Sequence, residues 1–321
     1  MEVVCVGNLV ADIFANPIAA LPAAGQLALT ERFLFGAGGC ATNTAACLCR
    51  LGRPAKVLGK VGDDVFGDLV IEDLKRLGMD ASCVSRSRTY PTSGTVIINV
   101  IGEERRYIHC IGANADLSFA DIDCSALNGA RALYVGGFMA IPRFGAEDLT
   151  QLFREAKNRS LKTILDVVIP SGQSISGEQV AAMLVYTDVF LPNDSEAYAL
   201  TGLREPRAQA GYLARMNPDC CVVVTQGRRG ALAQRKDEVI QVGTYAVEAI
   251  DESGSGDAFA AGFIAGVLQG WSLEDTLRFA SAVGASCTRA LGCTDGVFRF
   301  DEALTFMSEN SLPGERWPAK S

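Results

Sequence analysis

Short apolar runs, each followed by a longer stretch with apolar residues every three or four positions, recur along most of the chain. The runs at Glu2–Val6, Lys56–Lys60, Ala132–Val135, Thr163–Val167, Val189–Leu191 and Cys221–Thr225 predict strands with little polar face. Between them the spacing predicts helices at Ala41–Leu51, Phe66–Leu77, Ala146–Asn158, Gly177–Tyr186 and Ser195–Thr201, the first two closing on Gly52 and Gly78. Strands that alternate with helices in this way make a mostly parallel sheet covered on both faces, a three-layer α/β fold. Ligands of such sheets bind outside the carboxyl ends of the strands. Two stretches break the alternation. Ile13–Phe35 and Thr95–Ile111 read as β only, and in the second TVIINVI and RYIHCI are joined through GEER, a hairpin signal. Together they predict a small discontinuous β lid inserted in one domain of residues 1–312, with 313–321 a loose tail.

Composition narrows the chemistry. The 321 residues are 49% hydrophobic and 21% charged, enough to bury a sizeable core. Acids outnumber bases 37 to 29, for a net charge of −8, and a field of that sign repels nucleic acid and anionic membrane. A phosphate site must therefore be built locally. The longest uncharged runs, Ile13–Thr30 and Ala258–Leu273, are broken by proline or too short to span a bilayer. The 11 cysteines show no C-x-x-C spacing, and a strand pattern starts at once with no basic leader, so reduced thiols in a cytoplasmic protein are expected. The single histidine, His109, excludes multi-histidine zinc sites and fits a hydrogen-bonded strand residue more simply than a catalytic base.

The segment Asp251–Phe259, DESGSGDAF, carries the most chemistry. Phe259, Phe263 and Val267 recur every four positions, so a helix starts near Asp257. The Gly254-Ser255-Gly256 turn ahead of it can aim several N–H groups at one point, an anion site that needs no net positive charge. Such a cradle suits a transferring phosphoryl group, and Asp257 beside it is expected to stay ionised and accept a proton from an attacking hydroxyl. The same residues also fit an ordinary glycine-rich helix start.

DESGSGDAFAAGF resembles the C-terminal signature of the ribokinase-like carbohydrate kinases, the PfkB family, D-T-x-G-A-G-D-x-F, with Ser255 in place of the usual Ala. Other segments resemble the family in order: GNLVAD with Asp12, GAGGCATNTAACLCRLG with Gly38, Gly39 and Asn43, KVGDDVFGD, GEERRYIHCIGAN, LPNDSEAYALTG with Asn193 and Glu196, and VVVTQGRRGAL with Thr225 and Gly227. The resemblance implies a ribokinase-like fold and transfer of the γ-phosphoryl of ATP to a hydroxyl of a small sugar. It makes Asp257 the base, Gly254, Ser255 and Gly256 the anion hole, and Asp12, Gly38, Gly39 and Asn43 the sugar contacts. Asn193 and Glu196 would act near Mg²⁺, Glu196 through water, although Asn193 with Glu196 also reads as a capping box. Adenine is expected between the Thr225–Gly227 loop and small residues such as Ser281 on a helix predicted at Leu273–Ala290. Many members bind a monovalent cation such as K⁺, and Asp251 and Ser253 hold two matching positions. Lids of related kinases often pair, so a homodimer through the lid is expected.

The chain departs from ribokinases proper at Val10, where they have Asn, and at Gly136, where they have Glu, so ribose is not the favoured acceptor. Fructose or a keto-deoxy sugar acid fits better, and Arg105 and Arg106 beside the lid hairpin are candidates to recognise an acidic or phosphorylated sugar, or else solvated turn arginines. A nucleoside kinase of the same family and a non-catalytic sensor on the same fold remain alternatives. A dinucleotide-binding dehydrogenase fails because the strand after Gly36–Ala41 ends in Gly and Lys instead of an acid, and no P-loop motif occurs.

Overall fold

Val3–Gly7, VVCVG, has no polar side chain and becomes strand β1, buried along its whole length. Its residues face alternate sides: Val3 and Cys5 enter one hydrophobic core, Val4 and Val6 the other. A sheet buried on both faces is what such runs demand. The structure, a computed structural model, describes residues 1–15, 17–103, 105–170 and 175–318.

With elements numbered in chain order, β1 lies between β4 (Ala55–Leu58) and β9 (Ala132–Phe138), all parallel. Beyond β9 follow β10 (Lys162–Val167), β11 (Val189–Phe190) and β12 (Cys221–Thr225), also parallel. The sheet then turns antiparallel through β13 (Ala231–Arg235), β14 (Glu238–Val242) and β15 (Gly314–Pro318), for nine strands among the described residues. One core holds the apolar sides of α1 (Cys40–Arg50), α2 (Val65–Arg76), α7 (Ser255–Gln269), α8 (Leu273–Cys287) and α9 (Phe300–Glu309). The other holds those of α3 (Ala146–Asn158), α4 (Gly177–Leu184), α5 (Asp194–Thr201) and α6 (Pro206–Met216). Helices on both faces make the three-layer ribokinase-like arrangement expected from the alternation, with helix ends shifted by a few residues.

The two β excursions meet in a second sheet of order β3 (Phe33–Gly38), β2 (Val10–Ala15), β7 (Gly94–Ile98) and β8 (Arg106–Cys110). Residues 94–98 and 106–110 form the expected hairpin, whose turn residue 104 lies outside the described residues. β5 (Lys60–Gly62) pairs with β6 (Ser85–Ser87) beside it. The buried Asn114 accepts from Leu9 N at 3.1 Å and donates to Leu9 O at 2.9 Å, fixing the step from β1 into β2.

The tail corrects one expectation. Gly314–Pro318 is not loose but forms edge strand β15 in register with Glu238–Val242, and the Arg207 guanidinium lies 5.4 Å from the Trp317 ring centroid. The open edge of β14 supplies backbone partners that composition alone does not reveal. Residues 319–321 of the predicted tail are outside the described residues. Among the described residues no helix is long and apolar enough to cross a membrane.

Candidate active site

The carboxyl end of β1 delivers Asn8, whose Oδ1 accepts from Cys40 N at 3.0 Å and so ties the start of α1 to the sheet. Gly39 precedes that helix at φ 97°, where a Cβ would lie 2.3 Å from Asn8 O. Gly38 is needed for a different reason: a Cβ there would sit 1.9 Å from Asp12 Oδ2. The paired glycines therefore let the Asp12 carboxylate lie over bare backbone. Burial pushes the Asp12 carboxyl up to about 6, against the lowering effect of the Thr95 hydroxyl. Asp12, Phe14, Phe35, Asn43, Arg76 and Arg105 line a cleft of about 190 Å³ between the lid sheet and the 291–295 loop.

Gly254, in the left-handed region at φ 73°, starts α7, and a Cβ there would lie 2.6 Å from Cys293 Cβ. Among the described residues no side chain caps this helix start; Ser255 N reaches back to Glu252 O at 3.4 Å. A Cβ at Gly256 would meet nothing within 4 Å, so its backbone stays open to a ligand. Asp257 lies in a recess beside this turn, and Asn43 Nδ2 donates to its Oδ2 at 2.9 Å. Burial, partly offset by Asn43 and the Cys40 thiol, pushes its carboxyl up to about 6. Desolvation outweighs the helix end here, yet a carboxyl at about 6 is still mostly ionised at neutral pH. Asn43, expected on the sugar, borders the cleft while its amide holds the Asp257 carboxylate.

Three residues near Asp257 carried no usable sequence signal. Asp166, at the end of β10, accepts from Tyr134 Oη at 2.8 Å. Burial first, then Asp257 and Glu196, raises its carboxyl well above the usual range. Atoms of Cys40, Asp166 and Asp257 lie within 4.8 Å of one another. Tyr134 also explains Gly136, since a Cβ there would meet its ring at 2.6 Å. Only the carboxyl-end rule for parallel strands could have singled out Asp166 in ILDV.

Asn193 and Glu196 form the capping box of α5: Asn193 Oδ1 accepts from Glu196 N at 2.9 Å, and Glu196 Oε2 accepts from Asn193 N at 2.8 Å. Burial nevertheless pushes the Glu196 carboxyl up to about 7, with Asp257 adding to the rise. Capping thus leaves Glu196 electrostatically joined to the base. Thr225, Gly227, Ser255, Gly256 and Ser281 line a second cleft, of about 580 Å³. Ser281 lies on its α8 wall, its hydroxyl donating to Gly243 O at 3.0 Å. The two clefts meet at the 251–256 loop, which contributes Asp251 to one and Glu252, Ser255 and Gly256 to the other.

Arg105 reaches that loop from the lid, with Nη2 2.7 Å from Asp251 Oδ2 and Nη1 donating to Ser253 Oγ at 2.7 Å. Arg106 is elsewhere, paired with Glu103 on the exposed lid. His109 is an exposed strand residue whose Nδ1 lies 3.0 Å from Thr95 Oγ1.

Residues 1–298 match the family described as pfkB family carbohydrate kinase. The chain is similar to the 2-dehydro-3-deoxygluconokinase of Bacillus subtilis, 27% identical over 317 residues and 96% of each chain. It is similar to the 5-dehydro-2-deoxygluconokinase of Clostridium perfringens, 26% identical over 269 residues and 80% of each. The solved Arabidopsis thaliana ribokinase complexed with ribose and ATP superposes with a TM-score of 0.80 at 25% identity, over 95% of this chain and 97% of that one.

Proposed function

The chain belongs to the pfkB family of carbohydrate kinases, and we propose that Asp257 is the base of its ATP-dependent phosphoryl transfer and that its acceptor is a keto-deoxy sugar acid. The observation that carries the base assignment is the seat of Asp257: held by Asn43 at the start of α7, directly after the 251–256 loop that borders both clefts. ATP occupies the larger cleft, with adenine between the Thr225–Gly227 loop and the Ser281 face of α8. The sugar lies in the smaller one, its hydroxyls held by Asp12, Asn43 and the Gly38–Gly39 backbone.

In this arrangement Asp257 takes the proton of the attacking hydroxyl as the oxygen approaches the γ-phosphorus. The amides of Gly254, Ser255 and Gly256 bind the charge on the transferring group where it develops. Beyond burial, Asp257 raises the carboxyls of both Asp166 and Glu196, and Glu196 raises that of Asp166; this repulsion between oxygen donors fits a hard divalent cation held through water by Glu196. Mg²⁺ bound there would offset charge on the phosphates. The lid sheet over the smaller cleft excludes water from the reaction.

Both kinases named above act, by their names, on keto-deoxy gluconic acids, and Arg76 at the edge of the smaller cleft, paired with Asp73 through Nε and Nη2, keeps Nη1 for the acceptor carboxylate. The 190 Å³ available is roughly six waters' worth at ~30 Å³ each, room for a six-carbon acid and tight for a nucleoside with its base. The exposed apolar side chains of the lid, Phe33 at 70% and Ile108 at 64% among them, support a homodimer through that sheet. Eleven free cysteines support a cytoplasmic, reducing setting.

ADP release with Mg-ATP and a panel of keto-deoxy sugar acids, fructose, ribose and nucleosides tests the acceptor. A keto-deoxy acid should give the highest kcat/KM, and Arg76→Ala should raise its KM about tenfold while leaving fructose within about twofold. Preference for ribose or a nucleoside would overturn the assignment.

A further inference from the structure

Arg105 belongs to the lid, yet it ends inside the anion-hole loop. Its side chain is 19% exposed and that of Asp251 only 3%, so the pair is shielded between the two clefts. The fork of the guanidinium fits two oxygens at once, Asp251 Oδ2 and Ser253 Oγ, each at 2.7 Å. Asp251 and Ser253 hold two of the positions that the family resemblance matches to a monovalent cation, with carbonyls near Cys287–Gly292 as further candidates. Asp251 takes two further donors, Ser253 N on Oδ1 and Gly292 N on Oδ2, both at 2.9 Å. Burial alone would raise its carboxyl, but Arg105 together with these amides holds it below the usual carboxylate range. The carboxylate is thus charged and already neutralised. A K⁺ bound at Asp251 would sit against a guanidinium that never loses its charge and that already holds Oδ2 of this carboxylate, so the donor set does not fit that ion.

We propose that Arg105 supplies from the lid the positive charge that a monovalent cation would otherwise bring to the anion-hole loop, so that this kinase needs no K⁺. Arg105, although it borders the smaller cleft, is a positioning residue: it orders Asp251 and Ser253, and through them the turn at Gly254 that starts α7. Because it comes from the segment joining β7 to β8, the charge arrives only with the lid in place. Anion-hole order is thereby coupled to lid closure, which a free ion could not do.

The proposal rests on the phosphoryl-transfer reading, and the two fail separately in one experiment. The full chain, Arg105→Ala and Arg105→Lys are compared in potassium chloride and in N-methyl-D-glucamine chloride at equal ionic strength, by ADP release and by calorimetric affinity for Mg-ATP. The unsubstituted chain should differ by less than about twofold between the two salts in both measurements. Arg105→Ala should lose about tenfold or more in kcat/KM and in ATP affinity in the organic cation and recover most of it in K⁺, while Arg105→Lys stays indifferent to the salt. Activation of the unsubstituted chain by K⁺, or equal losses for Arg105→Ala in both salts, would overturn the proposal. Absence of turnover with every acceptor would sink the phosphoryl-transfer reading, and the ATP affinities would still decide the role of Arg105.

Discussion

Asp257 shows how a residue's chemistry depends on what surrounds it. Its sequence neighbours place it at a helix start, where the dipole favours an ionised carboxylate. Burial wins instead and lifts the carboxyl to about 6, so kcat should hold above about pH 6 and fall about tenfold per unit below it. The same shift acts on stability with a definite sign. Between the ordinary aspartate value of 3.8 and about 6 the folded chain binds the proton and the unfolded chain does not, so stability drops as pH rises through that window. Asp257→Asn should therefore melt later at neutral pH, by about 1 kcal/mol once partial solvent access is discounted, while kcat drops about a thousandfold and ATP affinity stays near normal. Near-normal turnover in that variant would remove Asp257 from the base role. Asn43 was visible in the sequence as a candidate sugar contact. That its amide also holds Asp257, 214 residues away, was not.

Elements place what residues perform. The end of β3 and the start of α1 meet in Gly38 and Gly39, and neither glycine is there for flexibility alone. Gly38→Ala would put a methyl 1.9 Å from Asp12 Oδ2, so Asp12 must leave its seat. The acceptor KM should rise about tenfold or more with the ATP KM unchanged, because the second cleft shares no wall with Gly38. An unchanged acceptor KM would mean that Asp12 does not hold the sugar. At this scale the strand and helix runs were legible from apolar spacing, and the anion turn from its glycines. The exceptions have a common cause. β15 exists because β14 has an open edge, and the Tyr134–Asp166 bond exists because β9 and β10 are neighbours. Neither fact is local.

On the scale of the whole molecule, the second sheet pairs Ala11 with Gly94, far apart in sequence, and the side chains on its outer face include Phe33, Val96 and Ile108. An apolar face of this kind is stable in water once it is covered, and the proposed dimer would cover it symmetrically with a second copy of the chain. Light scattering should give a dimer for the unsubstituted chain and a monomer for Ile108→Asp, with the monomer less active because its lid is less firmly held. A dimer that survives Ile108→Asp would place the interface elsewhere.

The sequence by itself determined the layers, the order of strands and helices, the lid as a β insertion, and the short motifs that supply Asp12, Asn43, Glu196 and Asp257. Each of these is written in a contiguous run whose periodicity or turn chemistry acts over a few residues. Only the tertiary structure decided which charges meet: Asn43 on Asp257, Asp166 beside Glu196 and Asp257, and Arg105 on Asp251 and Ser253. Electrostatic and hydrogen-bond energies depend on distance through space and on burial, and a chain folded into three layers brings together groups that its sequence keeps far apart.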